Sequence, residues 1–225
     1  MLEDLELPQR FGQAIVVTTD SWEGRNGNLA RFQRSGAGWR EIGSSIPVVV
    51  GKSGLGWGRG LHDDIDEAPQ KKEGDGRGPA GLFTIGPVFG SSERPPDGTR
   101  MQYRQATGQD YYIDDPESAD YNSWVKLPAE RNTPFENWKT FEKMLREDGL
   151  YKYGIVVRQN TDPVVSGDGS AVFIHIWRAP EVGTEGCTAM AEQHIAELIA
   201  WLEPGLEPIL VQAPGAELSK IKYRK

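Results

Sequence analysis

The chain has 225 residues, with 33 acidic against 25 basic side chains and a formal net charge of −8. That balance argues against nucleic acid as a partner, since phosphate binding needs a basic face. No run approaches the roughly 18 apolar residues of a membrane-spanning helix, so no transmembrane segment is predicted, and the length suits one large β-rich domain or two small ones.

The opening residues, Met1 to Pro8, are acidic and lack the apolar core of a signal peptide. They predict either a cytoplasmic chain or a trimmed mature form behind an engineered methionine. Gln13 to Thr19 is a β-branched run and predicts a strand ending at Asp20-Ser21. Alternating apolar residues over 29–34 and 39–42, joined by Gly36-Ala37-Gly38, read as a meander, and Ile46 to Val50 is a further apolar run. From Lys52 to Gly90 the chain is rich in Gly, Pro, Asp and Lys without helical period, so 52–130 is predicted to supply long loops. Gly54-Leu-Gly-Trp-Gly-Arg-Gly60 superficially resembles a phosphate loop. No helix pattern follows it, and acidic Asp63 and Asp64 stand where phosphate would bind.

Two helices are predicted. Thr133-Pro134 is a start signal, and Phe135, Trp138, Phe141, Met144 and Leu145 form an apolar stripe ending at Gly149. Ala191 to Leu202 carries Ile195, Leu198, Ile199 and Leu202 on one face, with His194 on the solvated side. Between them, 153–158 and 170–177 read as strands. In the second, Val172, Ile174 and Ile176 face one way, while Ala171, Phe173, His175 and Trp177 face the other.

Cys187 is the single cysteine and stands twelve residues beyond His175. A thiol and an imidazole are the minimum for thiolate nucleophilic catalysis. The pair is expected within about 4 Å. Gly186 allows a tight turn, and its amide with that of Cys187 is expected to form an oxyanion hole. The alternatives are a cysteine that serves as a small buried hydrophobe and a histidine that belongs to the core. Three isolated histidines and one cysteine give no zinc spacing, and the Asp63, Asp64 and Asp66 loop lacks the pattern of a calcium site, so no metal and no cofactor is expected.

Several segments in order resemble the L,D-transpeptidase catalytic domain (YkuD-type), in its longer L,D-transpeptidase-like branch. They are Val50-Gly-Lys-Ser-Gly-Leu-Gly-Trp-Gly58, Glu73-Gly-Asp-Gly-Arg-Gly-Pro-Ala-Gly-Leu-Phe83, Asp114 to Asn122, Gly169 to Ile176 and Thr184-Glu-Gly-Cys187. The resemblance implies a mainly β fold, a mixed sandwich or barrel-like sheet with a few peripheral helices, as a single domain over 1–225. It implies Cys187 as nucleophile, His175 as base, and the Gly186–Cys187 backbone as oxyanion donor. Peptidoglycan stem tetrapeptides would be the substrate, and the thioester would pass to an amine (a 3-3 crosslink) or to water (an L,D-carboxypeptidase). Trp57, Tyr121, Asn122, Trp177 and Arg178 are the residues expected along the groove. A periplasmic or extracellular monomer follows from the same resemblance. The chain departs from the commonest signature at Glu185, usually histidine, and at Ile176, usually glycine. Another cysteine amide hydrolase and a non-catalytic wall-binding module are the rival readings.

Overall fold

The first strand, β1 (Gln13–Thr19), forms where the β-branched run demands it. The computed structural model describes residues 2–36, 38–67 and 69–224; Ala37 of the predicted turn and Met1 lie outside them. After β1 come β2 (Asn26–Ser35), β3 (Gly38–Glu41), β4 (Ile46–Val49), β5 (Leu55–Trp57), β6 (Gly78–Gly90), β7 (Tyr103–Gln105), β8 (Asp110–Tyr112) and β9 (Trp124–Lys126). A short helix α1 (Pro134–Asn137) leads to β10 (Glu142–Lys143), β11 (Gly154–Val157), β12 (Phe173–Ile176) and β13 (Thr188–Met190). Helix α2 (Glu192–Trp201) and β14 (Ile209–Pro214) complete the described elements.

The main sheet runs β1-β14-β6-β11-β12-β13-β4-β2, and β2 pairs back onto β1. Closure removes most of the edges that an open sheet would carry, with β3 on β2 and β7 on β6 left as short edge strands. The fold is therefore mainly β, a barrel-like mixed sheet with few helices, as the resemblance implied. Its interior is filled by Val17, Leu29, Leu82, Phe83, Ile174 and Val211, all buried. Helix α2 lays Ile195, Leu198 and Ile199 against the same core, in line with its predicted apolar face.

Two predictions fail, each for a physical reason. The segment 52–130 holds strands β5 to β9 as well as loops, and β6 is a central strand between β14 and β11. Its glycines are points of close approach. Gly81 has φ +139°, and a Cβ there would lie 2.2 Å from the His62 ring. The predicted helix from Pro134 to Gly149 stops at Asn137. Trp138 turns extended (φ −137°, ψ 146°), and its indole donates to Asp120 Oδ2 at 2.9 Å. Glu142 and Lys143 then pair with Tyr112 and Tyr111. The stripe's Trp138 and Phe141 are covered by Tyr111, while Phe135 stays exposed.

Strands β10, β8 and β9 form a small second sheet. It is fastened to the outside of the barrel by rings: Tyr112 meets Phe173 at 5.1 Å and Trp124 meets Phe89 at 5.4 Å, both edge-on. This aromatic layer is the second core, and Cys187 belongs to it.

Candidate active site

Strand β12 is the pivot, because its two faces serve two cores. Ile174 and Ile176 enter the barrel interior, while Phe173 points into the outer aromatic layer, as the alternation predicted. His175 shares the Phe173 face and packs edge-on against Tyr151 at 5.1 Å. Strands β12 and β13 are parallel, with Ile174 opposite Thr188 and His175 opposite Ala189. Parallel neighbours need a crossover, and residues 177–187 provide it. That crossover carries Cys187 back to the sheet on the Phe173–His175 face, as a diagonal neighbour of His175.

The nucleophile turn is held by one hydroxyl. Thr184 Oγ1 donates to the Cys187 carbonyl at 2.6 Å and accepts from the Gly186 amide at 3.1 Å. The Gly186 amide, expected as an oxyanion donor, is thus already engaged inside the turn. Gly186 has φ +153°, and a Cβ there would sit 3.0 Å from the Arg77 carbonyl, so glycine is required at this position. Glu185 turns outward with its side chain 82% exposed and pairs with Lys52 at 2.5 Å.

Both members of the expected dyad are buried and neutral. The Phe173 amide donates to Cys187 Sγ at 3.3 Å, and Sγ reaches the Ala171 carbonyl at 3.6 Å. Burial pushes the thiol up to about 12, opposed mainly by the Phe173 amide. Burial likewise pushes His175 down to about 4. Among the described residues, no hydrogen bond joins Sγ to the imidazole; such contacts tighten when substrate arrives. Nδ1 of His175 lies 2.8 Å from the Ile176 carbonyl. A carbonyl oxygen only accepts, so Nδ1 carries the hydrogen and Nε2 keeps a free lone pair.

Cys187 and His175 open onto one cavity of about 270 Å³. Arg178 lines it, exposed, and so do Gly186 and the turn from Gly183. Trp177, Tyr121, Asn122 and Trp57 do not line it. Tyr121 stands one layer behind, donating to Glu73 Oε2 at 2.5 Å; Ser170 donates to the same oxygen at 2.7 Å. Asn122 fixes the next loop by donating to the Gln159 and Asn160 carbonyls and accepting from the Ala171 amide. Trp57 is a core residue, packed on Trp22 at 5.0 Å, because β5 lies inside the barrel wall beside β6.

The sequence reading missed Tyr151, Glu142, Arg146, Glu73, Asp114 and Lys71, which all line the cavity. Tyr151 donates to Glu142 Oε1 at 2.9 Å, and Arg146 reaches that oxygen at 2.8 Å. Asp114 is raised by burial and by its neighbours Glu73 and Glu142, and its Oδ1 has no partner. Glu73 and Asp114 head segments that carry the resemblance, and the charged run 142–148 holds Glu142 and Arg146, but neither signal places them at the thiol. The described residues include no cluster suited to a metal and no helix long and apolar enough to cross a membrane.

A barrel-like sheet thus opens a buried thiol and an imidazole onto one small cavity. The chain belongs to the L,D-transpeptidase catalytic domain family, YkuD, whose model matches residues 26–211. No curated protein matches the chain. Among solved structures it is similar to Bd1075 of Bdellovibrio bacteriovorus, at 14% identity over 95% of this chain and 54% of that one, with a TM-score of 0.45. It is also similar to the helical cell shape determining protein Pgp2 of Campylobacter jejuni, at 13% identity over 90% and 48%, with a TM-score of 0.41. The chain spans about half the length of these two proteins.

Proposed function

We propose that this protein is a cysteine acyltransferase that acts on peptidoglycan stem tetrapeptides as an L,D-transpeptidase. The observation that carries the reading is the shared cavity, which Cys187 and His175 both line, with Nδ1 occupied by the Ile176 carbonyl and Nε2 left as the proton acceptor. A substrate carbonyl in the cavity is attacked by Sγ while the thiol proton passes to Nε2. As the tetrahedral intermediate collapses, the C–N bond breaks and Nε2–H protonates the departing D-alanine amine. The diamino-acid carbonyl remains on sulfur as a thioester. An incoming amine, deprotonated by Nε2, then takes the acyl group and frees the thiol; water in its place gives a tripeptide.

The neutral resting dyad suits this order, because the proton moves only as the S–C bond forms. The Cys187 amide, beside the engaged Gly186 amide, is the backbone donor nearest the developing oxyanion. Arg178 on the cavity edge pairs with a stem carboxylate. Glu185, which replaces the usual histidine, sits exposed at the cavity mouth with its charge paired to Lys52, so the departure leaves the thiol and the imidazole in place. On the same reading the protein works as a monomer at the cell wall, in the periplasm or outside the cell.

Incubation with purified muropeptides tests the proposal by product mass. Loss of terminal D-alanine together with crosslinked dimers supports transpeptidation, and tripeptides alone indicate the carboxypeptidase. Unchanged tetrapeptide masses contradict both.

A further inference from the structure

Lys71 is a buried ammonium that the mechanism above leaves without a role. Its side chain is 4% exposed, and it lines the cavity of Cys187 and His175. Its backbone is fixed to the barrel wall, the amide donating to the Trp57 carbonyl at 2.8 Å. Two glycines make room for its methylenes. A Cβ at Gly169 would lie 3.0 Å from Lys71 Cε, and one at Gly186 would lie 3.9 Å from the same atom. The lysine therefore runs alongside the residue that precedes the nucleophile.

The ammonium is clamped in place. Nζ donates to Asp75 Oδ1 at 2.6 Å and to the Lys72 carbonyl at 2.5 Å. Asp75 is itself wired into the turn, accepting from the Lys72 amide at 2.7 Å and the Arg77 amide at 2.8 Å. Lys71 lines the cavity and Asp75 does not, so of the pair it is the cation's side chain that borders the site. Salt screens a buried pair of this kind only weakly, and what reaches the site is the ammonium's field less that of its counter-charge, Asp75.

Resting on the acyl-transfer reading, we propose that Lys71, held by Asp75, is a positioning residue. Its fixed positive charge favours the negative charge that develops on Cys187 Sγ and on a bound carbonyl oxygen. The other charged groups facing the thiol do not take this place. Arg146 is committed to Glu142 and Asp148 and is 30% exposed. Arg178 is exposed at the rim, Glu185 is exposed there and paired with Lys52, Glu73, Asp114 and Glu142 are acidic, and Tyr151 and His175 are neutral. The balance of charges on the thiol agrees: Glu142 raises its pKa, while Lys71 and Arg146 lower it.

The test reads the thiol directly, through the rate of Cys187 alkylation by iodoacetamide between pH 6 and 10. Two variants carry opposite predictions. Lys71→Met removes the cation and shifts the profile to higher pH, slowing alkylation about tenfold at pH 8, one pKa unit being tenfold in thiolate. Asp75→Asn removes the counter-charge and keeps the side-chain shape, so it shifts the profile to lower pH and speeds alkylation. Lys71→Arg holds the wild-type profile. Loss of structure alone would move the first two variants in the same direction. Profiles that shift together, or that superimpose on the wild type, overturn the proposal; if Lys71→Met does not fold, the sign of the Asp75→Asn shift decides. No stem peptide enters this experiment, so failure of turnover on muropeptides would leave its outcome standing.

Discussion

Replacing His175 with alanine gives the sharpest view of how this site handles a proton. Cys187 ionises at about 12 in its buried setting, so at pH 7 roughly one thiol in 100,000 is thiolate without help. The wild type avoids that limit by passing the proton to Nε2 during attack. Its acylation rate should therefore be level from about pH 5 to 9 and fall only as His175 takes up a proton, near its value of about 4. The variant has no such acceptor and depends on free thiolate. Its rate should rise about tenfold per pH unit up to pH 10 and lie about 10²–10⁴-fold below wild type at pH 7.5. Single-turnover acylation by a tetrapeptide stem, followed by intact mass, measures both profiles, with circular dichroism confirming the fold at each pH. A His175→Ala profile that matches the wild type would refute the base assignment. So would a wild-type acid limb at the ordinary histidine value of 6.5.

Other outcomes follow from the same geometry. Gly186→Ala puts a Cβ 3.0 Å from the Arg77 carbonyl at φ +153°. Strain of this kind costs about 1–3 kcal/mol, and at roughly 2–4 °C per kcal/mol the melting temperature drops measurably while acylation slows. Acid sensitivity should also appear. His62 and His175 both stand at about 4 because burial opposes their charged forms. The unfolded chain takes up protons from about 6.5 downward, so each histidine withdraws stability as pH falls from 6.5 to 4, by up to about 3 kcal/mol. The urea midpoint should fall across that window, and less steeply in His62→Phe; a midpoint independent of pH would contradict the burial of these rings. A carbapenem-type β-lactam offers a strained carbonyl to the same thiol. Intact mass should show one adduct, lost in Cys187→Ala and much slower in His175→Ala.

Where local pattern and tertiary demand agree, the sequence was legible. The β-branched run of β1 and the apolar face of α2 stand within a residue of their predicted places, and the two-faced β12 lies inside its predicted span, beginning three residues later. That Cys187 and His175 border one cavity also follows from one strand and one turn, while their roles stay with the proposal. Strand β6 was hidden because its glycines and prolines look like a loop. At Gly81 the missing side chain is space occupied by His62, a contact some 20 residues away in sequence. The stripe after Pro134 has helical spacing, but the Trp138 indole finds Asp120 and the chain joins a sheet instead. Trp57 could be recognised as important but not as core, since that depends on β5 joining the parallel edge of β6. The acidic and basic side chains of the cavity come from segments far apart in the chain, and no spacing rule unites Lys71, Glu142 and Cys187.

The central claim is that Cys187 carries the acyl group. It is tested most directly by mixing the protein with a stem tetrapeptide, quenching in acid and mapping the modified peptide by mass spectrometry. The account predicts an adduct on Cys187 equal to the stem less its terminal D-alanine, absent in Cys187→Ala. Turnover of the stem by Cys187→Ala at the wild-type rate, or an adduct on any other residue, would contradict it.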